Sequence, residues 1–274
     1  MQGIRQFIHT EKKISYINKL LKVGYYALDF GSFVSPEIIP QMADTARVLD
    51  GLDLSSTKSK LIAIIANERG AKDACAFPQI DSLGFPFSVS ETFQKRNANS
   101  TIAESVERVK RIKQLTDHHN KELIIYISMA FGNTYGDDYS PQIVEQWVEK
   151  LSVLDVKTFM LSDTVGVAEP KIIQYLFSTL IPVFPKFEIG VHLHTAPYNW
   201  KEKIETAYDN GCRRFDSVIK GYGGCPMAKD DLIGNMPTEN LLNYFSVEQL
   251  GENFSLTAFD EAFREANSVF PAQH

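Results

Sequence analysis

The sequence predicts an α/β fold, and within that class a (β/α)8 barrel whose first strand is missing. Three observations lead there. Seven short apolar runs, at 27–34, 61–66, 83–89, 123–130, 158–161, 189–194 and 215–219, alternate strictly with helical patterns. Strict β/α alternation implies a parallel sheet, and nearly continuous apolar strands imply that both of its faces are covered. Polar residues then gather just past the strand ends, at Asp29, Asp163, His192, His194 and Cys225. Convergence from several strands favours a closed barrel over an open sheet. No glycine fingerprint follows the first strand and no Walker-type loop occurs, which removes the usual open-sheet nucleotide folds.

Taken in order, residues 10–22 read as a helix, so the strand at 27–34 is the second unit of the barrel and the missing strand is expected before Met1. Ser35-Pro36 and Ser140-Pro141 each place a hydroxyl before a proline tolerated in a first helical turn, and both are expected to start helices after strands. Thr101-Ile102-Ala103-Glu104 has the capping-box pattern, and Ile102, Val106, Val109, Ile112 and Leu115 recur behind it at helical spacing. At 274 residues the chain fits one barrel domain spanning 1–274, with C-terminal helices at about 237–270.

Composition narrows the function. Hydrophobic residues make up 44% and charged residues 23%, with a net charge of −6. The basic pairs Lys95-Arg96 and Arg213-Arg214 are too short to track a phosphate backbone, so nucleic acid is excluded as a partner. No apolar run reaches the length of a membrane span, and no signal-peptide pattern opens the chain, so no membrane partner and a cytoplasmic location are expected. Cys75, Cys212 and Cys225 are too few and too scattered for a disulfide framework, and Cys75 and Cys212 are expected on helices as structural residues.

The chemistry concentrates near the C-terminus. In Glu188-Ile189-Gly190-Val191-His192-Leu193-His194 a strand alternates its side chains, so both imidazoles face one way and Ile189, Val191 and Leu193 the other. Two neutral imidazoles on the inner wall of a barrel suit a borderline divalent cation, although packing or hydrogen bonding is the commoner use of such a pair. Asn235 can add a carboxamide oxygen, or serve as a turn residue after Gly234. Cys225 lies in Gly223-Gly224-Cys225-Pro226, where glycines give a thiol no core to enter, and proton transfer competes with a buried, inert role. Asp29 and Asp163 end strands at the same face, where they can orient substrate or a metal-bound water, or simply bond to their own loops. His9, His118, His119 and His274 read as surface residues.

Together, Asp29-Phe30-Gly31-Ser32-Phe33-Val34-Ser35-Pro36, Pro40-Gln41-Met42-Ala43-Asp44, Ser162-Asp163-Thr164-Val165-Gly166, the His-x-His strand and Gly223-Gly224-Cys225-Pro226 resemble the 3-hydroxy-3-methylglutaryl-coenzyme A lyase family, from Met1 to about Phe245. The resemblance implies metal-dependent cleavage of the hydroxymethylglutaryl thioester to acetoacetate and acetyl-coenzyme A, as in leucine degradation and ketone-body formation. It implies magnesium or manganese held by His192, His194 and Asn235, an acyl-coenzyme A substrate, and a possible homodimer. Cys225, Asp29 and Asp163 become the catalytic candidates, with Ser32, Thr164 and Gln2 beside the substrate. The family's first strand ends in Arg-Asp-x-x-Gln, whose tail matches Met1-Gln2, so the Arg-Asp pair is expected upstream. Asp29 stands in place of a glutamate, and Thr195 follows His194 where many lyases carry an aspartate, which implies a shifted substrate preference. A condensing synthase of the same superfamily and a non-catalytic binding subunit are the competing readings.

Overall fold

The computed structural model describes residues 1, 4, 6–223, 234–251 and 253–270. Its strands are β1 (Ala27–Ser32), β2 (Lys60–Ile64), β3 (Ser82–Ser88), β4 (Glu122–Ser128), β5 (Thr158–Ser162), β6 (Glu188–His192) and β7 (Phe215–Asp216). They form one sheet in chain order, each parallel to the next. All seven expected runs are strands, and among the described residues no eighth strand joins β7 back to β1.

Alternation along each strand sorts the residues into two layers. Outward side chains such as Phe85, Phe87, Ile125, Ile127, Phe159, Leu161, Val191 and Leu193 are buried in the main core. They meet apolar stripes on α5 (Ile102–His118), α6 (Pro141–Ser152) and α7 (Pro170–Val183), including Val109, Ile112, Val148, Ile173 and Phe177. Inward, Ile62, Ile124 and Met160 make a separate small cluster with Ala27 and Tyr126. Residues from β1, β2, β4 and β5 can meet on that face only if the sheet rolls around them, which is how a barrel is filled. Because the strands are parallel, the loops after them share one end of the barrel with Asp29, His192 and Asp216.

The remaining helices are α1 (Thr10–Val23), α2 (Thr45–Asp50), α3 (Glu68–Cys75), α4 (Glu91–Ala98), α8 (Trp200–Asp209), α9 (Thr238–Tyr244), α10 (Val247–Leu250) and α11 (Leu256–Val269). The expected capping box is present: Thr101 accepts from the Glu104 amide while Glu104 reaches back. Ser140-Pro141 starts α6 as expected. Ser35-Pro36 does not start a helix; the Ser35 carbonyl instead accepts from the Ile38 and Ile39 amides in a turn, a 3-10 turn follows at Pro40–Met42, and α-helix begins at α2. Cys75 closes α3, whereas Cys212 lies beyond the end of α8, although both thiols are buried.

α11 packs along α1 over a second core of Tyr16, Val23, Phe259, Ala262, Ala266 and Phe270. Gly24 makes the junction possible: it ends α1 in the left-handed region at φ +85°, and a Cβ there would lie 2.0 Å from the Asn253 carbonyl oxygen. The Ser255 amide then donates to Val23, at 2.8 Å, as the chain enters α11.

One buried ion pair fixes the wall beneath the site. Lys203, on α8, donates to Asp163 Oδ2 at 2.7 Å and to the His194 carbonyl at 2.9 Å. Both charged side chains are almost wholly buried, at 3% and 0% exposed. Burial pushes the Asp163 carboxyl up, with the Lys203 ammonium pulling against it. Removing one partner of such a pair leaves a charge in the wall, which costs about 3–5 kcal/mol. Lys203→Met is therefore expected to lower the unfolding free energy by that amount in urea denaturation, and adding Asp163→Leu should recover most of it. A loss below ~1 kcal/mol in the single variant would contradict this account.

Candidate active site

His192 is the last residue of β6, and His194 follows it in an isolated antiparallel bridge with Asn235. The two imidazoles share a face, as their spacing requires, with ring centroids 5.5 Å apart and planes at 81°. His194 is turned by two contacts. Its Nδ1 lies 3.1 Å from the Thr164 carbonyl, and its Nε2 lies 3.1 Å from Asn235 Oδ1. The Asn235 amide cannot be reversed without loss, because its Nδ2 donates to the Tyr222 carbonyl at 2.9 Å. Both ring nitrogens of His194 thus face oxygen acceptors, while a neutral imidazole carries a single N–H. One of the two contacts is therefore a hydrogen bond and the other sets a ring lone pair against an oxygen; with the proton on Nδ1, toward Thr164, it is Nε2 that keeps its lone pair on the Asn235 side. Burial, with the neighbouring His192, lowers the His194 pKa to about 4, so a second proton is not present near neutrality.

In that tautomer two lone pairs lie 3.1 Å apart, an arrangement a cation between them would satisfy. The separation also suits adjacent ligands of a small divalent ion, which lie ~3 Å apart when each is about 2.1 Å from the metal. His192 is presented in the same way. Its Nδ1 lies 3.1 Å from Asp216 Oδ2, which leaves Nε2 free of that contact, and its ring stands 5.5 Å from that of His194. The donor set of two imidazoles and a carboxamide oxygen therefore fits a divalent cation. Among the described residues no cluster of three or more His, Cys, Asp or Glu side chains makes a cage without the carboxamide.

The rest of the barrel mouth is acidic and aromatic. Asp29 faces inward from β1 and is open to solvent. The surrounding wall still excludes enough water to raise its pKa to about 7, with repulsion from Asp216 adding to the shift. Tyr126, inward from β4, sets its ring edge against His192 at 6.3 Å and reaches Asp216 with its hydroxyl. Burial and the Asp216 charge both favour the un-ionised phenol.

Other sequence candidates take supporting positions. The Asp163 carboxylate is spent on Lys203 and on the Ala168 amide, 2.9 Å away. Thr164 holds the site from behind: its carbonyl takes the His194 contact, and its hydroxyl accepts from the Met129 amide at 2.9 Å. Met129 sits at φ +60°, a conformation costly for a non-glycine residue, where β4 enters its loop. The Ser32 hydroxyl donates to the Ile64 carbonyl and accepts from the Val34 amide, which ties it to the sheet. Gln2 and Cys225 lie outside the described residues, as does His274. Sequence reasoning passed over Asp216, Tyr126 and Lys203. For the first two a signal existed, since each is a polar side chain in the inward phase of an apolar run. Lys203 gave none, because a lysine on an amphipathic helix reads as solvated.

Residues 1–264 match the family profile described as HMGL-like. A hydroxymethylglutaryl-CoA lyase of Bacillus subtilis (strain 168) is 30% identical over 250 residues, which is 91% of this chain and 82% of that protein. The cytoplasmic 3-hydroxy-3-methylglutaryl-CoA lyase of Rattus norvegicus is 31% identical over 242 residues, covering 88% of this chain and 70% of its own length. Among solved structures, an HMG-CoA lyase from Acenitobacter baumannii in complex with coenzyme A and 3-methylmalate superimposes with a TM-score of 0.89 at 27% identity. That match covers 98% of this chain and 87% of the other. Sequence and fold agree along nearly the whole barrel, and the chain belongs to the HMGL-like family, alongside the 3-hydroxy-3-methylglutaryl-CoA lyases.

Proposed function

We propose that this protein cleaves 3-hydroxy-3-methylglutaryl-CoA to acetoacetate and acetyl-CoA, using a magnesium or manganese ion held by His192, His194 and Asn235. The observation that carries the reading is the convergence of His194 Nε2 and Asn235 Oδ1, 3.1 Å apart, with both side chains pinned from behind. When bound there, a divalent ion supplies Lewis acidity that makes the substrate's tertiary hydroxyl easier to deprotonate.

In this reading Asp29 accepts the hydroxyl proton, its pKa raised to about 7. The bond from the carbinol carbon to the methylene beside the thioester then breaks. The carbinol carbon becomes the ketone of acetoacetate, and the electron pair moves into the thioester enolate. Protonation of that enolate carbon gives acetyl-CoA, a step this reading gives to Cys225 on the strength of its sequence context. Tyr126 and Asp216 fix His192, while Thr164 and Lys203 hold His194 and the strand that bears it. Ser32 and Asp163 serve as scaffold for the same wall. Among the described residues no helix is long and apolar enough to cross a membrane.

Metal binding separates this reading from an inert barrel. His194→Ala is expected to weaken Mn2+ binding at least tenfold, measured from the free Mn2+ signal in electron paramagnetic resonance, and an unchanged dissociation constant would overturn the ligand set. Asp29→Asn should lower kcat/KM by about 10²–10⁴. As a base Asp29 works deprotonated, so wild-type kcat/KM should rise with pH through a limb at or below about 7, a bound cation drawing it lower. That limb should vanish in Asp29→Asn. Cys225→Ser is expected to slow acetoacetate release while leaving Mn2+ affinity as in the wild type, because the thiol gives a proton and does not ligate.

A further inference from the structure

We propose that Asp216, anchored by Tyr126, is a positioning residue that aims His192 Nε2 at the cation and raises its strength as a ligand. The inference rests on the metal-site reading above and extends it to residues behind the ligands.

The two histidines are presented alike but supported unlike. Each spends Nδ1 on the protein and turns Nε2 into the site, yet the partner of His194 is a neutral backbone carbonyl, whereas that of His192 is a carboxylate. A carbonyl fixes the tautomer. A carboxylate also pushes electron density into the ring, which strengthens the metal bond, and losing such a partner typically weakens metal affinity 10–100-fold. The placement is dictated by the sheet. His192 and Asp216 are register partners on adjacent parallel strands, so their side chains emerge side by side on the inner face.

Asp216 is held in turn. Tyr126 comes from β4 across the barrel interior, its ring edge resting on His192 at 6.3 Å, and the Asp216 charge beside it favours the un-ionised phenol, whose O–H faces that carboxylate. Room for that ring comes from β3, where a Cβ at Gly84 would lie 2.9 Å from Tyr126 Cε2 and 2.6 Å from Ile64 Cδ1. Four strands thus converge on the aim of one imidazole.

The test compares Mn2+ affinity and the His192 tautomer in the wild type, Asp216→Asn, Tyr126→Phe and His194→Ala. Asp216→Asn is expected to raise the Mn2+ dissociation constant 10–100-fold, and Tyr126→Phe about three- to tenfold. In metal-free protein, at a pH high enough that the imidazole is neutral, 15N spectra should place the His192 proton on Nδ1 in the wild type and show more of the Nε2–H form in Asp216→Asn, a change that a merely structural role would not produce. Asp216→Glu should restore part of the affinity. Wild-type Mn2+ binding that is lost in His194→Ala but unchanged in Asp216→Asn overturns this inference and leaves the metal site standing. No Mn2+ binding by the wild type overturns both. Should Asp216→Asn fail to fold, Tyr126→Phe, which removes a single oxygen, carries the test, and an unchanged dissociation constant in that variant overturns the inference.

Discussion

The pairing of β6 with β7 is the constraint on which the rest of the site hangs. Its register sets Val191 against Phe215 and His192 against Asp216, which turns Val191 and Leu193 to the core and both imidazoles to the interior. A slip of one residue would exchange the two faces, burying imidazoles under the helices and exposing aliphatic side chains in the barrel mouth. Burial of Ile189, Val191 and Leu193, each at 5% exposure or less, holds that register. At ~1.5–3 kcal/mol per buried aliphatic side chain, three of them outweigh any single polar contact made on the opposite face. The hydrophobic effect on one side of the strand thus fixes the chemistry on the other.

Around that strand the protein accepts local costs. Met129 adopts a left-handed conformation, and Lys203 and Asp163 are buried as charges, yet each spends its polar groups on the same small region. Lys203 grips the His194 carbonyl, and Asp163 grips Lys203. Thr164 bonds both Met129 and His194. Contacts of this kind limit how far a ligand can wander, and a metal ligand displaced by even a fraction of an ångström loses affinity. The scaffold contributes geometry where the reaction needs it and leaves the interior above Ile62, Ile124 and Met160 open to solvent at Asp29.

Much of the fold was legible because strand and helix periods are written along the chain. Seven apolar runs became seven strands in order, and the capping box at Thr101 opened its helix. The misreadings were local. Ser35-Pro36 has the chemistry of a helix start, but the carbonyl of Ser35 closed a turn instead. Within the site, the His-x-His phase was readable from spacing, whereas Asn235 could be a ligand or a turn residue by its type, and only the family resemblance set it beside the histidines, where it lies 3.1 Å from His194. For Asp163 the sequence left two readings open, facing substrate or bonding to a neighbour, because a strand-end position suits both, and the structure pairs it with Lys203, forty residues later.

By itself the sequence determined the order of elements, the inward phase of His192 and His194, and the end of the barrel at which polar residues collect. Those properties follow from side-chain periodicity, which depends only on neighbours a few residues away. Only the tertiary structure decided which nitrogen of each imidazole faces the protein, which way the Asn235 amide turns, and that Asp216 and Tyr126 stand behind His192. Each of these is a hydrogen bond or ring contact between strands or loops far apart in the chain. Such a bond is chosen by which strand lies alongside, and no local pattern records it.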